Sequence, residues 1–388
     1  MKSFDVIVLG LGGMGSAAAC HLAARGQCVL GLDQFHPPHH YGSSHGQTRI
    51  IRQAYFEHPS YVPLLRRAYE LWERLEHDTG KKLLLLPGGL MMGRPDSEVV
   101  SGSLGSAREH GLPHEILEAS EIRRRYPLFQ IPDDTMALFE RASGLVFCER
   151  AVSAHLAVAT NSGATLRFGE RVESWRAEPG GGVTVTTARS RYAAAQLVVS
   201  PGPWAPDVLE SLGVPLVVER QVLLWFDPLV GIAPFLPDRF PIYIWQRAAG
   251  AVPYGFPAVD GPRGGVKISF YRKPVSEPCT PQTVDRNIRP DDIDDIRAVM
   301  REFLPSLDGR LVNATTCLYT LTPDSNFLIG AHPKHPQVKI AAGFSGHGFK
   351  FCSVVGEILA NLVMTGEAGH DIELFRPDRF GPQPRRGA

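Results

Sequence analysis

A glycine-rich turn close to the N-terminus restricts this chain more than any other feature. Phe4 to Leu9 reads as a strand, Gly10-Leu11-Gly12-Gly13-Met14-Gly15 as a tight turn, Ser16 to Ala24 as a helix, and Val29 to Asp33 as a second strand. That order is a βαβ unit, the opening of a doubly wound α/β sheet. The glycines serve separate purposes. Gly10 permits the turn, Gly12 lets backbone N–H groups approach a pyrophosphate, and Gly15 lets helix and strand pack closely. A G-x-G-x-x-G triplet alone is a weak signal. Here it ends a strand and opens a helix, and Asp33 closes the next strand, where a carboxylate can bind ribose hydroxyls, so a dinucleotide site is expected. The bland alternative is a glycine turn in an ordinary α/β sheet. FAD and NAD share the fingerprint, so the rest of the chain must choose between them.

At 388 residues the chain exceeds the size at which one core usually keeps growing, and two domains are expected. Its 40 basic and 40 acidic residues cancel, which leaves no broad field for gripping nucleic acid or an anionic membrane. No segment reads as a membrane span or a secretory signal, so a soluble cytoplasmic protein, compatible with a monomer, is expected. Cys20, Cys28, Cys148, Cys279, Cys317 and Cys352 form no C-x-x-C pair, which argues against structural zinc and a disulfide framework. His36, His39 and His40 lie beside two prolines without matching carboxylates or cysteines, and no metal is expected there.

From Ser60, read as an N-cap, apolar residues recur at helical spacing to Gly80. Between about Leu83 and Leu145 short apolar runs are broken by Pro and Gly, and strand-like alternation resumes from Ala164 to Val199. Val217 to Phe226 and Val266 to Tyr271 are β-rich, with one helix near Asp291 to Phe303. These shifts imply an α/β chain, α+β overall, in which two domains interleave. Near the end, a strand to Gly343, the turn Phe344-Ser345-Gly346-His347-Gly348 and a helix from about Phe349 to Met364 point a positive helix end at whatever the turn holds.

Gly42-Ser43-Ser44-His45-Gly46-Gln47-Thr48-Arg49-Ile50-Ile51-Arg52 resembles the flavin-contacting loop of the monomeric sarcosine oxidase and N-methyltryptophan oxidase family. Cys317-Leu318-Tyr319-Thr320 with Thr322-Pro323-Asp324 resembles that family's attachment segment, and Gly343 to Lys350 its C-terminal signature. Read with the shifts along the chain, the resemblance implies a discontinuous Rossmann-like FAD-binding domain (1–85, 146–215 and 320–388) interleaved with a β-sheet-containing substrate domain (86–145 and 216–319). It implies one FAD per chain, joined through its 8α-methyl to the Cys317 sulfur, a soft thiolate suited to that bond. It also implies cofactor contacts from Gly10, Gly12, Gly15, Asp33, Ser44, His45, Arg49, Val172, Gly346, His347, Gly348 and Lys350. Taken alone, a solitary cysteine is more often a small buried hydrophobe.

By the same resemblance Arg52 and Lys350 hold a substrate carboxylate, one as a fork and one as a point charge. Tyr254, Tyr319 and Tyr271 border the substrate, and Lys267 activates oxygen, because a fixed cation in a dry site favours the first electron transfer to O2. His45 and Arg49 tune the flavin and assist thioether formation. The implied reaction oxidises a small secondary amino acid, with sarcosine, O2 and water giving glycine, formaldehyde and hydrogen peroxide. Tyr271 departs from the histidine of sarcosine-type members; it is bulkier and stays neutral near pH 7, which puts the substrate's identity in question. The alternatives are oxidation of pipecolate, proline or a larger N-methyl amino acid, a flavin dehydrogenase, and a dinucleotide-binding module without catalysis.

Overall fold

The computed structural model describes residues 3–247, 250–273 and 275–381. The predicted βαβ unit opens it as β1 (Ser3–Leu9), α1 (Gly13–Ala24) and β2 (Val29–Leu32). β1 is the centre of an eight-stranded sheet, parallel to Arg191–Val199 on one side and to β2 on the other. His335–Ala342 runs parallel on the far side of Arg191–Val199, and Thr165–Arg167 on the far side of β2. Strands buried on both faces read as unbroken apolar runs, as Val6 to Leu9 and Leu197 to Val199 do. α1 packs against the helices Cys148–Asn161 and Cys352–Met364. A Cβ on Gly356 would lie 2.6 Å from the Ala17 carbonyl carbon, so the last of these contacts depends on a glycine.

Two further sheets complete the described residues. β3 (Thr48–Ile51) joins Gly144–Phe147 and Leu84–Leu85 in a small antiparallel sheet. A nine-stranded sheet draws Gly89–Gly93, Glu115–Glu118 and Met136–Glu140 from early in the chain, and the strands between Val217 and Leu321 from later. Its longest pairing runs Val217–Phe226 antiparallel to Leu311–Leu321, placing Gln221 opposite Cys317; Trp225 faces Lys267 on the other neighbour, Val266–Arg272.

α2 (Tyr61–Thr79) buries Val62, Leu65, Ala68, Tyr69 and Trp72 along one face and ends at Gly80 in the left-handed region (φ 63°). Ser60 does not cap it with its side chain. The backbone is already helical at Ser60, and the turn closes earlier, through Tyr61 N–H to His58 O and Val62 N–H to Pro59 O. No described helix is long and apolar enough to cross a membrane.

Candidate active site

Parallel strands end together, and a cavity of about 670 Å³ opens where they do. Gly10 adopts φ +84°, and a Cβ there would lie 2.4 Å from the Ser200 carbonyl oxygen. A Cβ on Gly15 would lie 1.8 Å from the Gly10 oxygen, so that glycine allows α1 to sit on the turn and does not itself line the cavity. Gly12 differs: an added Cβ meets only the Ser44 hydroxyl, at 3.5 Å, and its surface faces open cavity. The Ser44 hydroxyl accepts the Gly13 N–H at 3.1 Å. Asp33 lines the same end, but its carboxylate accepts the N–H groups of Leu11 and Phe35, each at 2.8 Å, and so also clamps the turn. Burial, the largest influence, raises its pKa, against the pull of those two bonds. Val172 lines the rim on its own strand.

Beside the cavity, the loop before β3, β3 itself and the strand Leu311–Leu321 bring His45, Arg49 and Cys317 close together. Arg49 donates to Ser43 O at 3.0 Å, to Thr48 O at 2.9 Å and to the Cys317 sulfur at 3.3 Å. Cys317 is 1% exposed, packs with Leu223 and Trp225, and stands behind the cavity wall made by Ser43, Arg49 and Tyr319. His45 is buried, and its Nε2 has no hydrogen-bond partner among the described residues. Burial, and then Arg49, lower the His45 pKa to about 4, so the ring is neutral and one nitrogen awaits a partner. Opposite, Gly346 (φ +81°) lets the turn pass the Tyr319 ring, which a Cβ would approach to 2.6 Å.

At the far end Arg52, Tyr254, Tyr271, Tyr319 and Lys350 all line the cavity. Arg52 is 1% exposed, lies 4.1 Å from the ring centres of both Tyr55 and Phe56, and pairs with Glu57 at 2.6 Å. The other Glu57 oxygen accepts the Tyr271 hydroxyl at 3.2 Å. Burial opposes ionisation of Glu57, yet Arg52 first, then His347 and Lys350, hold its pKa below the usual range. Lys350 Nζ donates to His347 O at 2.6 Å and to the Tyr55 hydroxyl at 3.3 Å. His347 uses both ring nitrogens, Nδ1 with the Tyr55 hydroxyl at 2.6 Å and Nε2 with Ser325 O at 3.0 Å.

Lys267 lies apart, 2% exposed and off the cavity surface. Its ammonium donates to Gly46 O and Thr48 O, each at 2.7 Å, and to the Thr48 hydroxyl at 3.3 Å, with the Phe256 ring centre 4.7 Å away. The loop carrying those carbonyls is fixed by Glu149, whose carboxylate accepts the N–H groups of Gly46 (2.7 Å) and Gln47 (3.1 Å).

Glu57, Tyr55 and Glu149 belong to this site but do not stand out in the sequence. A carboxylate five positions after Arg52 was the one signal available for Glu57. His36, His39 and His40 gather no metal set; among the described residues no group of three such side chains is placed to hold an ion.

The family model described as FAD dependent oxidoreductase matches residues 5–362. A monomeric sarcosine oxidase of Streptomyces avermitilis is 53% identical over 384 residues, 98% of this chain and 99% of that protein. An N-methyl-L-tryptophan oxidase of Yersinia pestis is 33% identical, with 97% of this chain and 99% of that protein covered. The solved structure of NikD, an unusual amino acid oxidase essential for nikkomycin biosynthesis, is similar with a TM-score of 0.84 and 26% identity, covering 97% of this chain and 98% of that one.

Proposed function

The chain belongs to the FAD dependent oxidoreductase family, alongside the monomeric sarcosine oxidases and N-methyl-L-tryptophan oxidases, and from that premise we propose that it oxidises sarcosine to glycine and formaldehyde, passing the electrons to O2. It is a flavin-dependent enzyme acting on the CH–NH bond of a small amino acid. One observation carries the choice of substrate: one cavity is lined both by the glycine turn and by two basic side chains, Arg52 and Lys350, with three tyrosines. Those basic groups suit a carboxylate, and the rings suit a small amine.

The residues fit FAD. The open face of Gly12 and the glycine turn through Gly346 and Gly348, all on the cavity surface, are features that a flavin dinucleotide would complete, with the unpartnered His45 Nε2 buried close behind them. FAD, when bound, accepts two electrons from the substrate and supplies them to oxygen. Gly10, Gly12, Asp33, Ser44 and Val172 hold its nucleotide part, while His45, Arg49 and the turn through Gly346, His347 and Gly348 hold its ring. Cys317 carries the covalent bond: its sulfur accepts a hydrogen bond from the Arg49 guanidinium at 3.3 Å, directly behind the cavity wall. Arg52 and Lys350 bind the substrate carboxylate, Tyr254, Tyr271 and Tyr319 bound the amine, and Lys267 supplies the fixed charge for the oxygen step.

Residues 1–85, 146–215 and 320–388, of which 1–2 and 382–388 lie outside the described residues, form the cofactor domain in this reading, and the remainder, of which 248–249 and 274 lie outside them, forms the substrate domain. A monomer in the cytoplasm accords with balanced charge and with six unpaired cysteines.

Peroxide production in air across sarcosine, N-methylalanine, N-methyltryptophan, proline, pipecolate and glycine tests the substrate, compared as kcat/KM. Sarcosine is expected to lead; preference for a larger or cyclic amine would assign the chemistry to that substrate, and no peroxide from any would overturn the oxidase reading. Acid precipitation should carry the yellow colour into the pellet for the wild type and leave it in solution for Cys317→Ser.

A further inference from the structure

An α-amino acid enters such a site as a zwitterion, and its ammonium must lose a proton before the nitrogen lone pair can assist oxidation. The carboxylate nearest the substrate end, Glu57, is already engaged: Arg52 holds one oxygen at 2.6 Å and the Tyr271 hydroxyl holds the other at 3.2 Å. Lys350 is different. It is 5% exposed, lines the cavity, and makes no ion pair among the described residues; its two partners are a carbonyl and a phenol. A buried lysine without a counter-ion favours the neutral amine, a state closed to arginine. Arg52, Glu57, Tyr55, His347 and the Cys352 thiol are the titratable groups around it, and burial first, then Arg52, lower its pKa to about 7.

We propose that Lys350 is the base that takes the proton of the substrate ammonium, and that in taking it Lys350 becomes the second cation on the substrate carboxylate. The inference rests on the amine-oxidase reading above. One N–H bond breaks on the substrate and one forms at Nζ, and the electron pair stays on the substrate nitrogen. Amine and carboxylate are neighbours on one carbon, so a lysine bonded to the carboxylate is within reach of the amine.

The hydrogen bonds behind Lys350 have a fixed direction. Ser325 O can only accept, so Nε2 of neutral His347 carries the ring proton, and Nδ1 accepts from the Tyr55 hydroxyl, which in turn accepts from Lys350. After the oxidised product leaves, Nζ gives its proton up to the cavity that Lys350 lines. Reducing O2 to hydrogen peroxide with the electron pair and hydrogen taken from the substrate consumes one proton, so release and uptake balance over a turnover.

Methoxyacetate, a carboxylate with no amine proton to give, separates the charge states. Titrating the FAD-loaded enzyme with it at pH 8, by calorimetry in two buffers of different ionisation heat, is expected to show uptake approaching one proton per site. In Lys350→Arg the uptake should vanish while Kd stays within about threefold, because arginine keeps the cation but cannot exchange its proton. Anaerobic reduction by sarcosine should then rise about tenfold per pH unit toward the ordinary alkylammonium range near 10 in that variant, and level off near neutrality in the wild type. Wild-type enzyme that binds methoxyacetate and oxidises amines without proton uptake overturns the role of Lys350, whether or not the variants fold. Wild-type enzyme that does neither overturns the oxidase reading and the base together.

Discussion

Two buried lysines, Lys267 and Lys350, carry the same electrostatic burden and resolve it differently. Each has its pKa lowered to about 7 by burial first and by a neighbouring guanidinium second, Arg49 for Lys267 and Arg52 for Lys350. Lys267 meets three oxygen acceptors, the number of N–H bonds on an ammonium, and lies off the cavity surface. Lys350 meets two acceptors and lines the cavity. The surroundings of Lys267 therefore keep its charge in place, while those of Lys350 leave it free to exchange a proton. Burial alone does not tell a fixed charge from a proton carrier; the number of acceptors and access to the substrate do.

The sharpest way to break this comparison is Lys267→Met. If the charge acts only in the oxygen step, reoxidation should slow by about 10²- to 10³-fold, the usual cost of removing one preorganised electrostatic contact. Anaerobic reduction should stay close to the wild-type rate. Stopped-flow measurement of the two half-reactions decides, and equal losses in both would remove Lys267 from the oxygen step.

A smaller effect tests how Lys267 is held. Gly46 (φ +84°) and Gln47 (φ +69°) both take left-handed conformations, and Glu149 fastens their N–H groups so that the Gly46 and Thr48 carbonyls face the lysine. Glu149→Gln weakens charge-assisted bonds worth about 1.5–3 kcal/mol. Reoxidation is expected to fall by about tenfold, again with reduction spared; loss of reduction as well would mean that Glu149 supports the whole loop and not the lysine in particular.

The difference between the two lysines also marks what a sequence can express. The glycine turn, Asp33 and the cysteine segment are legible because their residues are close in the chain and their spacing is fixed by one turn or strand. No local pattern ranks the two lysines, because the groups that hold Lys267 come from afar: Lys267 reaches Gly46 across 221 positions, and Glu149 reaches Gln47 across 102. Glu57 and Tyr55 were hidden for a different reason. They sit in the irregular segment between β3 and α2, where no strand or helix period says which side chains turn inward. Ser60 shows the opposite failure, a residue type suited to capping at a position where the backbone had already turned helical.

The smallest expected effect comes from Thr48→Val, which nearly preserves shape and removes one of the three Lys267 acceptors, the hydroxyl at 3.3 Å, while leaving the Thr48 carbonyl at 2.7 Å. A net hydrogen bond of about 1 kcal/mol corresponds to roughly a fivefold change in an equilibrium, and this long contact should contribute no more than that. The loss falls on the ammonium form, so the Lys267 pKa should move further down, and the pH above which reoxidation declines should move down with it. A stopped-flow pH profile of reoxidation would show the shift, and the reduction profile, governed by Lys350 on the other side of the site, should stay where it is. If both profiles move together, the two lysines titrate as one coupled system, and the distinction between a fixed charge and a proton carrier fails.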